Sequence, residues 1–416
     1  MNILIKAAII LDPTSQFHKK QQDIYIQDGV IRDIGKNLSY PQAQQISSKN
    51  LHISQGWFDS SVSFGEPGYE ERETIENGLR VAALSGFTHI AYNTNTSPRP
   101  DSRADISFLI EQSKGSVTQL HPKACVTAID EKLAPLRELH AAGAVSFSNH
   151  KESIKNANVL KLALQYSNDF GGLVESFAFN HDLANNGIMH EGAVSTALGL
   201  SGIPSIVEEM HIKRDLGVLD YVIGKLHIPT ISSKGAVSLI KEAKKMGLDV
   251  TTSVSIFNIH FIDEALQGFN ANAKLLPPLR TEDDKEALKK ALIDGTIDMV
   301  TSDHQPLNSE LKDIELDQAH FGSIGLEHSF GCLLEHFSLD ETVDFLTRGK
   351  ERFGIAAATI AVGATADISL FTPDGTKEID KAALHSLSNN SLFIGQKTSG
   401  SVVGVIRADK SLLHHD

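Results

Sequence analysis

The side chains able to do acid–base or metal chemistry gather where apolar runs give way to loops. Asp303 and His304 follow Asp298-Met-Val-Thr-Ser302, and His150 follows Ala144-Val-Ser-Phe-Ser148. Glu175 sits near the end of Gly172-Leu-Val-Glu-Ser176, and His227 lies in Leu226-His-Ile-Pro-Thr230. Histidines and carboxylates at several strand ends are what metal-assisted hydrolysis requires. They hold an ion, the ion acidifies a water, and a base takes the proton. The spacing withholds the usual ligand patterns, because none of His89, His150, His181, His190 or His304 belongs to an HxH or HExxH pattern. A single histidine at a strand end is equally a hydrogen-bonded structural residue, and Asp303 alone is equally a salt-bridged carboxylate. His227 stands three residues before Thr230 on a strand, so it is expected to face the other side and to be structural.

The elements that must position these groups alternate. From Gly56 the chain runs strand, loop, helix in repeats of roughly 30 to 45 residues. Strands are expected at Thr88–Tyr92, Ala124–Ala128, Ala144–Ser148, Gly172–Ser176, Leu226–Thr230, Asp249–Val254 and Asp298–Ser302, after a first one that feeds Gly56–Gly68. Helices are expected near Asp101–Gln112, Leu136–Ala142, Asn156–Tyr166, Gly235–Met246 and Asp283–Ile293. This rhythm predicts a (β/α)8 TIM-type barrel over 56–354, with its site at the C-terminal ends of the strands; a doubly wound sheet is the competing architecture. Both ends of the chain are β-like. Asp28-Gly29 between two alternating runs marks a hairpin, and Ala366–Phe371 and Ser401–Arg407 are strand-like. Residues 1–55 and 355–416 are therefore expected to form one small discontinuous β-sandwich domain, with Leu413–Asp416 a disordered end.

Composition is that of a globular chain, 41% hydrophobic and 22% charged. A net charge of −14 without a basic stripe argues against nucleic acid. No apolar run is long enough for a transmembrane helix, and the first residues read as a strand, not a signal segment. Cys125 and Cys332 are far apart, so no disulfide framework is expected and a reducing cytoplasm fits.

One stretch carries a resemblance. Gly56-Trp-Phe-Asp-Ser-Ser-Val-Ser-Phe-Gly-Glu-Pro-Gly68 resembles the first barrel strand of the dihydroorotases, in the amidohydrolase superfamily, where the pattern is Gly-Phe-Ile-Asp-x-His-Val-His-Leu-Arg-Glu-Pro-Gly. Framework matches continue along nearly the whole chain, among them Ser85-Gly-Phe-Thr88, Leu198-Gly-Leu-Ser-Gly-Ile-Pro204, Pro277-Pro-Leu-Arg-Thr281 and Gly325-Leu-Glu327. They are most similar to the bacterial type associated with aspartate carbamoyltransferase.

The resemblance implies a two-zinc hydrolase, yet the positions that would carry the chemistry have changed. Ser61 and Ser63 stand at the paired zinc histidines, Asn149 at the bridging aspartate, and Ser176 and Thr230 at two further metal histidines. Gly65 replaces the substrate-binding arginine, Leu276 an asparagine that binds the pyrimidine ring, and Leu307 a substrate-contacting histidine. Asp303 matches the catalytic aspartate and is the one metal-site position retained. Asn95, Phe321 and Gly322 match substrate contacts. Hydroxyls and an amide are poor company for zinc, so the chain is expected to be a dihydroorotase-like pseudoenzyme without a cofactor. The family implies a scaffold or regulatory role in pyrimidine synthesis, an aspartate carbamoyltransferase partner and a homodimer. Two other readings stand beside it. One is an active cyclic-amide hydrolase, interconverting carbamoyl-aspartate and dihydroorotate, with zinc on relocated ligands. The other is a metal-free small-molecule binding protein using the polar remnant pocket.

Overall fold

The computed structural model describes residues 1–128 and 131–414. The N-terminal strands are β1 (Asn2–Leu11), β2 (Gln21–Gln27), β3 (Val30–Gly35), β4 (Gln44–Ile46) and β5 (His52–Gln55). Eight parallel strands follow, interrupted by a small two-stranded sheet. They are β6 (Trp57–Val62), β7 (Phe87–Tyr92), β8 (Gln119–Ala124), β9 (Ser146–Phe147) and β10 (Leu173–Glu175), then, after the small pair β11 (Met189–His190) and β12 (Gly202–Ile203), β13 (Lys225–Ile228), β14 (Val250–Ser255) and β15 (Met299–Thr301). The chain ends with β16 (Asp367–Glu378), β17 (Lys397–Arg407) and β18 (Lys410–Leu413).

The parallel strands follow one another in chain order from β6 to β15, and helices such as Ile75–Leu84, Ala157–Asn168 and Ile206–Tyr221 alternate with them. The ring closes where Val62 bridges His304 and Ser63 N donates to His304 O at 2.9 Å. Asp59 reinforces the closure. Fully buried on β6, it accepts from Ser302 N at 2.9 Å and from the Thr301 hydroxyl, so one carboxylate ties the first strand to the last. The expected barrel is thus the observed one. Its third strand lies earlier than Ala124–Ala128, because it runs through Pro122. Proline has no amide to donate, but here only its carbonyl is needed, accepting from Val145 N at 3.0 Å.

The two ends of the chain share one continuous mixed sheet, where a sandwich was expected. Its order is β18-β17-β16-β5-β1-β2-β3, with β4 added beside β1. The run Leu51–Ser54 belongs here: β5 pairs antiparallel with β16, Ile53 opposite Leu370. The Asp28-Gly29 turn has φ of 50° and 76°, the mirror-image turn that suits a tight hairpin. Leu413 lies in β18 and His414 N donates to Val403 O at 2.9 Å, so these two are ordered by pairing; residues 415–416 of the expected disordered end lie outside the described residues.

The sheet is welded to the base of the barrel. Trp57 is fully buried against Phe87, Phe330 and Phe371, with ring centroids 5.0–6.0 Å apart, and its indole N–H donates to Ser54 Oγ at 2.9 Å. Beside it Asp367 of β16 accepts from Lys350 Nζ at 2.7 Å and pairs with His89 Nε2 at 3.2 Å, while His89 Nδ1 meets His121 Nε2 at 3.0 Å. His89 is therefore a fixture of the base, far from the strand ends where a site is expected.

Candidate functional site

The mouth of the barrel, at the C-terminal strand ends, brings together several of the expected positions. Ser61 lies at the end of β6, and Ser63 just beyond it. Asn93 follows β7 and donates through Nδ2 to both Ser61 Oγ and Ser63 Oγ at 3.1 Å. Ser63 Oγ then donates to Asn95 Oδ1 at 2.9 Å, and Ser61 Oγ to Asp303 Oδ1 at 3.3 Å. The second oxygen of Asp303 accepts from Lys151 Nζ at 2.8 Å. A continuous polar chain, Asn95–Ser63–Asn93–Ser61–Asp303–Lys151, thus crosses the mouth. Burial pushes the Asp303 carboxyl up from its ordinary pKa, and the adjacent Lys151 ammonium works against that.

Beneath this layer lies a second ion pair. Lys123, at the end of β8, donates to Glu175 Oε2 at 2.8 Å, and Ser146 Oγ donates to Glu175 Oε1 at 2.5 Å. Lys123 and Glu175 are 2% and 1% exposed. Strand alternation places Glu175 outside the barrel if Ser176 points in, but the reverse holds. Ser176 lies one residue past the last ladder position, and its hydroxyl turns toward Asp215 on helix Ile206–Tyr221 without a well-formed hydrogen bond. His227 is bonded to hydroxyls of the next strand, Thr251 Oγ1 at 3.0 Å and Ser253 Oγ at 3.3 Å; it pairs in register with Glu175 and so shares the inward face, where the opposite face was expected.

Of the other expected positions, Thr230 stays at the mouth and the rest are engaged elsewhere. Asn149 turns sideways: its Oδ1 accepts from Val126 N at 3.1 Å and Thr127 N at 3.3 Å, and its Nδ2 donates to Thr127 Oγ1 at 2.9 Å. Thr230 lines the mouth, with φ of 49°. Gly65 has φ of 145°, and a Cβ there would stand 2.4 Å from Tyr69 O, so the backbone closes the position to any side chain. Leu276 packs on Phe177, Phe179 and Ile203, and Leu307 is buried with its amide on Asn390 Oδ1 at 3.0 Å. Gly322 spends its N–H on Lys274 O at 3.0 Å, and the ring of Phe321 lies 4.9 Å from Lys274 Nζ. Both polar groups of the Gly322 backbone are in use, since its carbonyl also accepts from Asn390 Nδ2.

The additional histidines do not assemble. His304 accepts at Nδ1 from Gly325 N and Leu326 N, and burial lowers its pKa to about 3. His190 meets Arg280 Nη1 at 3.2 Å, and His181 packs edge-on against Phe179. His150 alone of the five lines the mouth. Among the described residues no group of three or more His, Cys, Asp or Glu is placed to hold a metal ion. The donors present do not fit a zinc ion. Beside hydroxyls and amides stands a single imidazole, His150, whose Nε2 has no well-formed hydrogen bond, and each carboxylate already has an ammonium at 2.8 Å. The space left among Ser61, Lys123, His150, Lys151, Thr230 and Asp303 is about 10 Å3, room for one water at most.

Sequence reasoning missed Lys123, Lys151 and Asn93. A charged residue inside the β-like segment His121-Pro-Lys123 was a usable signal for the first; Lys151 stands in an ordinary polar loop.

The fold defines a class: a parallel eight-stranded barrel with a mixed sheet built from both ends of the chain. The L-hydantoinase (dihydropyrimidinase) of Arthrobacter aurescens superposes with a TM-score of 0.86 at 21% identity, over 99% of this chain and 96% of that one. A dihydropyrimidinase of Brevibacillus agri gives 0.84 at 23%, over 99% and 95%. At these identities the likeness is one of fold. Sequence narrows the class. A family model described as Dihydro-orotase-like matches residues 52–236. A protein named dihydroorotase from Pelotomaculum thermopropionicum is 36% identical over 409 residues, 96% of each chain. Its namesake from Bacillus subtilis is 34% identical over 420 residues, 99% of this chain and 98% of that one. The chain belongs to the dihydroorotase family.

Proposed function

We propose that this chain serves pyrimidine biosynthesis as a dihydroorotase-family protein that does not hydrolyse dihydroorotate, and that it acts as a scaffold or regulatory subunit. The observation that carries this reading is the state of Asp303, the one metal-site carboxylate retained. It is held by Lys151, while hydroxyls and an amide occupy the positions of five further ligands. Hydrolysis of a cyclic amide at neutral pH needs an activated water, and the mouth has little free space while both of its carboxylates are taken up by lysines. The partner such a scaffold would serve is aspartate carbamoyltransferase in the cytoplasm, either as a homodimer or within a mixed assembly. The barrel over 56–354 would supply the old catalytic face, and the terminal β-domain over 1–55 and 355–416 would buttress its base.

A second reading has its own support. Relatives matching at 33–36% identity over nearly the full chain are named dihydroorotase, which favours an active enzyme interconverting carbamoyl-aspartate and dihydroorotate with zinc on other ligands. A binding protein for small molecules has less support, because the remnant cavity is too small for a metabolite. One experiment separates the first two: elemental analysis after zinc loading and desalting, with dihydroorotate turnover measured in both directions. No bound zinc and no turnover support the scaffold; stoichiometric zinc with turnover establishes the enzyme.

A further inference from the structure

We propose that Lys151 is a built-in replacement for the metal's positive charge, an internal cation delivered by the loop after β9 to neutralise Asp303. The proposal rests on the metal-free reading above and says how the barrel mouth stays folded without an ion.

Lys151 is a positioned residue. It sits in a tight turn, Asn149-His150-Lys151-Glu152, closed by Glu152 N donating to Asn149 O at 3.1 Å. The turn is pinned on three sides. The Asn149 side chain holds the loop at Val126 and Thr127, Ser148 Oγ accepts from His150 N at 3.0 Å, and Glu152 pairs with Arg99 at 2.7 Å. His150 has φ of 54°, a left-handed conformation that reverses the chain. The side chain that follows is thereby sent across the mouth. There it is 12% exposed, opposite a carboxylate that is 5% exposed.

The charge inventory makes the same point. The mouth contains Lys123, Lys151, Glu175 and Asp303, two cations facing two anions. Removing Lys151 leaves a buried carboxylate whose remaining side-chain partner is a serine hydroxyl at 3.3 Å. Adding a divalent ion while Lys151 is present leaves a positive excess in a poorly solvated site. Lysine and metal are therefore alternatives. With Lys151 on Asp303, the neutral serines, threonine and asparagine at the other positions leave no charge unbalanced.

The test is a double-mutant cycle on the full-length protein, read by calorimetric Tm. Lys151→Met and Asp303→Asn are each expected to lower Tm by about 3 °C or more. The double variant is expected to lose less than the larger of the two single losses, because neither charge is then left alone. If the losses add, the pair is not coupled and the assignment is overturned. Should Lys151→Met fail to fold, a folded double variant supports the proposal and an unfolded one overturns it. Zinc content of the wild type keeps the two proposals apart. Stoichiometric zinc overturns the metal-free reading together with this one, whereas additive losses in a zinc-free wild type overturn this one alone.

Discussion

The weld between barrel and terminal sheet gives the most quantitative prediction. Lys350 is 1% exposed, and its Nζ lies 2.7 Å from Asp367 Oδ2. The other oxygen of Asp367 has no partner. With Lys350→Met the carboxylate keeps only His89, whose pKa burial lowers and whose ring is therefore neutral at pH 7. Breaking a buried pair from one side costs about 3–5 kcal/mol, and the surviving His89 contact puts the expectation near the lower end, about 3 kcal/mol. At about 2.1 cal/mol/K per residue, a chain of 416 residues unfolds with an entropy near 0.9 kcal/mol/K, so Tm falls by about 3–4 °C. The pH dependence has a definite sign. Burial alone raises the Asp367 carboxyl, but the His89 hydrogen bond and Lys350 outweigh it, and the folded pKa lies below the ordinary value. The stabilisation is thus present above the unfolded value of about 3.9 and is lost only as pH falls through the lower folded value. Scanning calorimetry is expected to show a deficit in Lys350→Met that is largest near neutral pH and shrinks in acid, as the carboxylate left without its lysine takes up a proton in the folded variant. The control is Lys19→Met, which removes an exposed pair with Asp340 and is expected to cost less than about 1 kcal/mol. A Lys350→Met protein that melts with the control, or a deficit that grows below pH 4, would refute the reasoning.

Three further outcomes follow from the geometry. Gly56→Ala places a Cβ 2.0 Å from Thr88 Oγ1 and 2.1 Å from Asp367 Oδ1, so it is expected to cost at least about 2 kcal/mol in urea unfolding. Ser61→His with Ser63→His restores a histidine pair beside Asp303 but leaves the Lys151 ammonium there; zinc binding is expected to improve by about tenfold or more only when Lys151→Gly is added, as titration with a competing chelator would show. Lys312 Nζ donates to His320 O at 2.9 Å, and burial, aided by Lys274 and Lys151, lowers its pKa to about 7. Because the unfolded chain binds the proton up to about pH 10, wild-type stability is expected to rise relative to Lys312→Met by up to about 1.4 kcal/mol per pH unit from pH 7 upward. A flat difference between the two proteins from pH 7 to 9 would refute that assignment.

The architecture was legible in the sequence because it rests on local signals. Asp28-Gly29 specifies its hairpin through backbone conformation alone, and the strand–loop–helix rhythm from Gly56 onward specifies a barrel through repeated burial of one face. That serine, asparagine and threonine stand at 61, 63, 149, 176 and 230 was equally plain, since the chemical identity of a side chain needs no coordinates. Which charges meet at the mouth was not legible. Lys151 meets Asp303 across 152 residues of chain, and Lys123 meets Glu175 across 52. Neither pairing has a spacing signature. Strand alternation misdirected Glu175 because Ser176, the residue used to set the phase, lies beyond the ladder. Past the last paired residue, direction is set by loop backbone: His150, Thr230 and Asp303 all have φ between 48° and 54°. Sequence determined the frame and the side chains available at the strand ends. Only the tertiary structure decided which charges pair there, because that depends on where three left-handed residues turn the chain at the barrel's mouth.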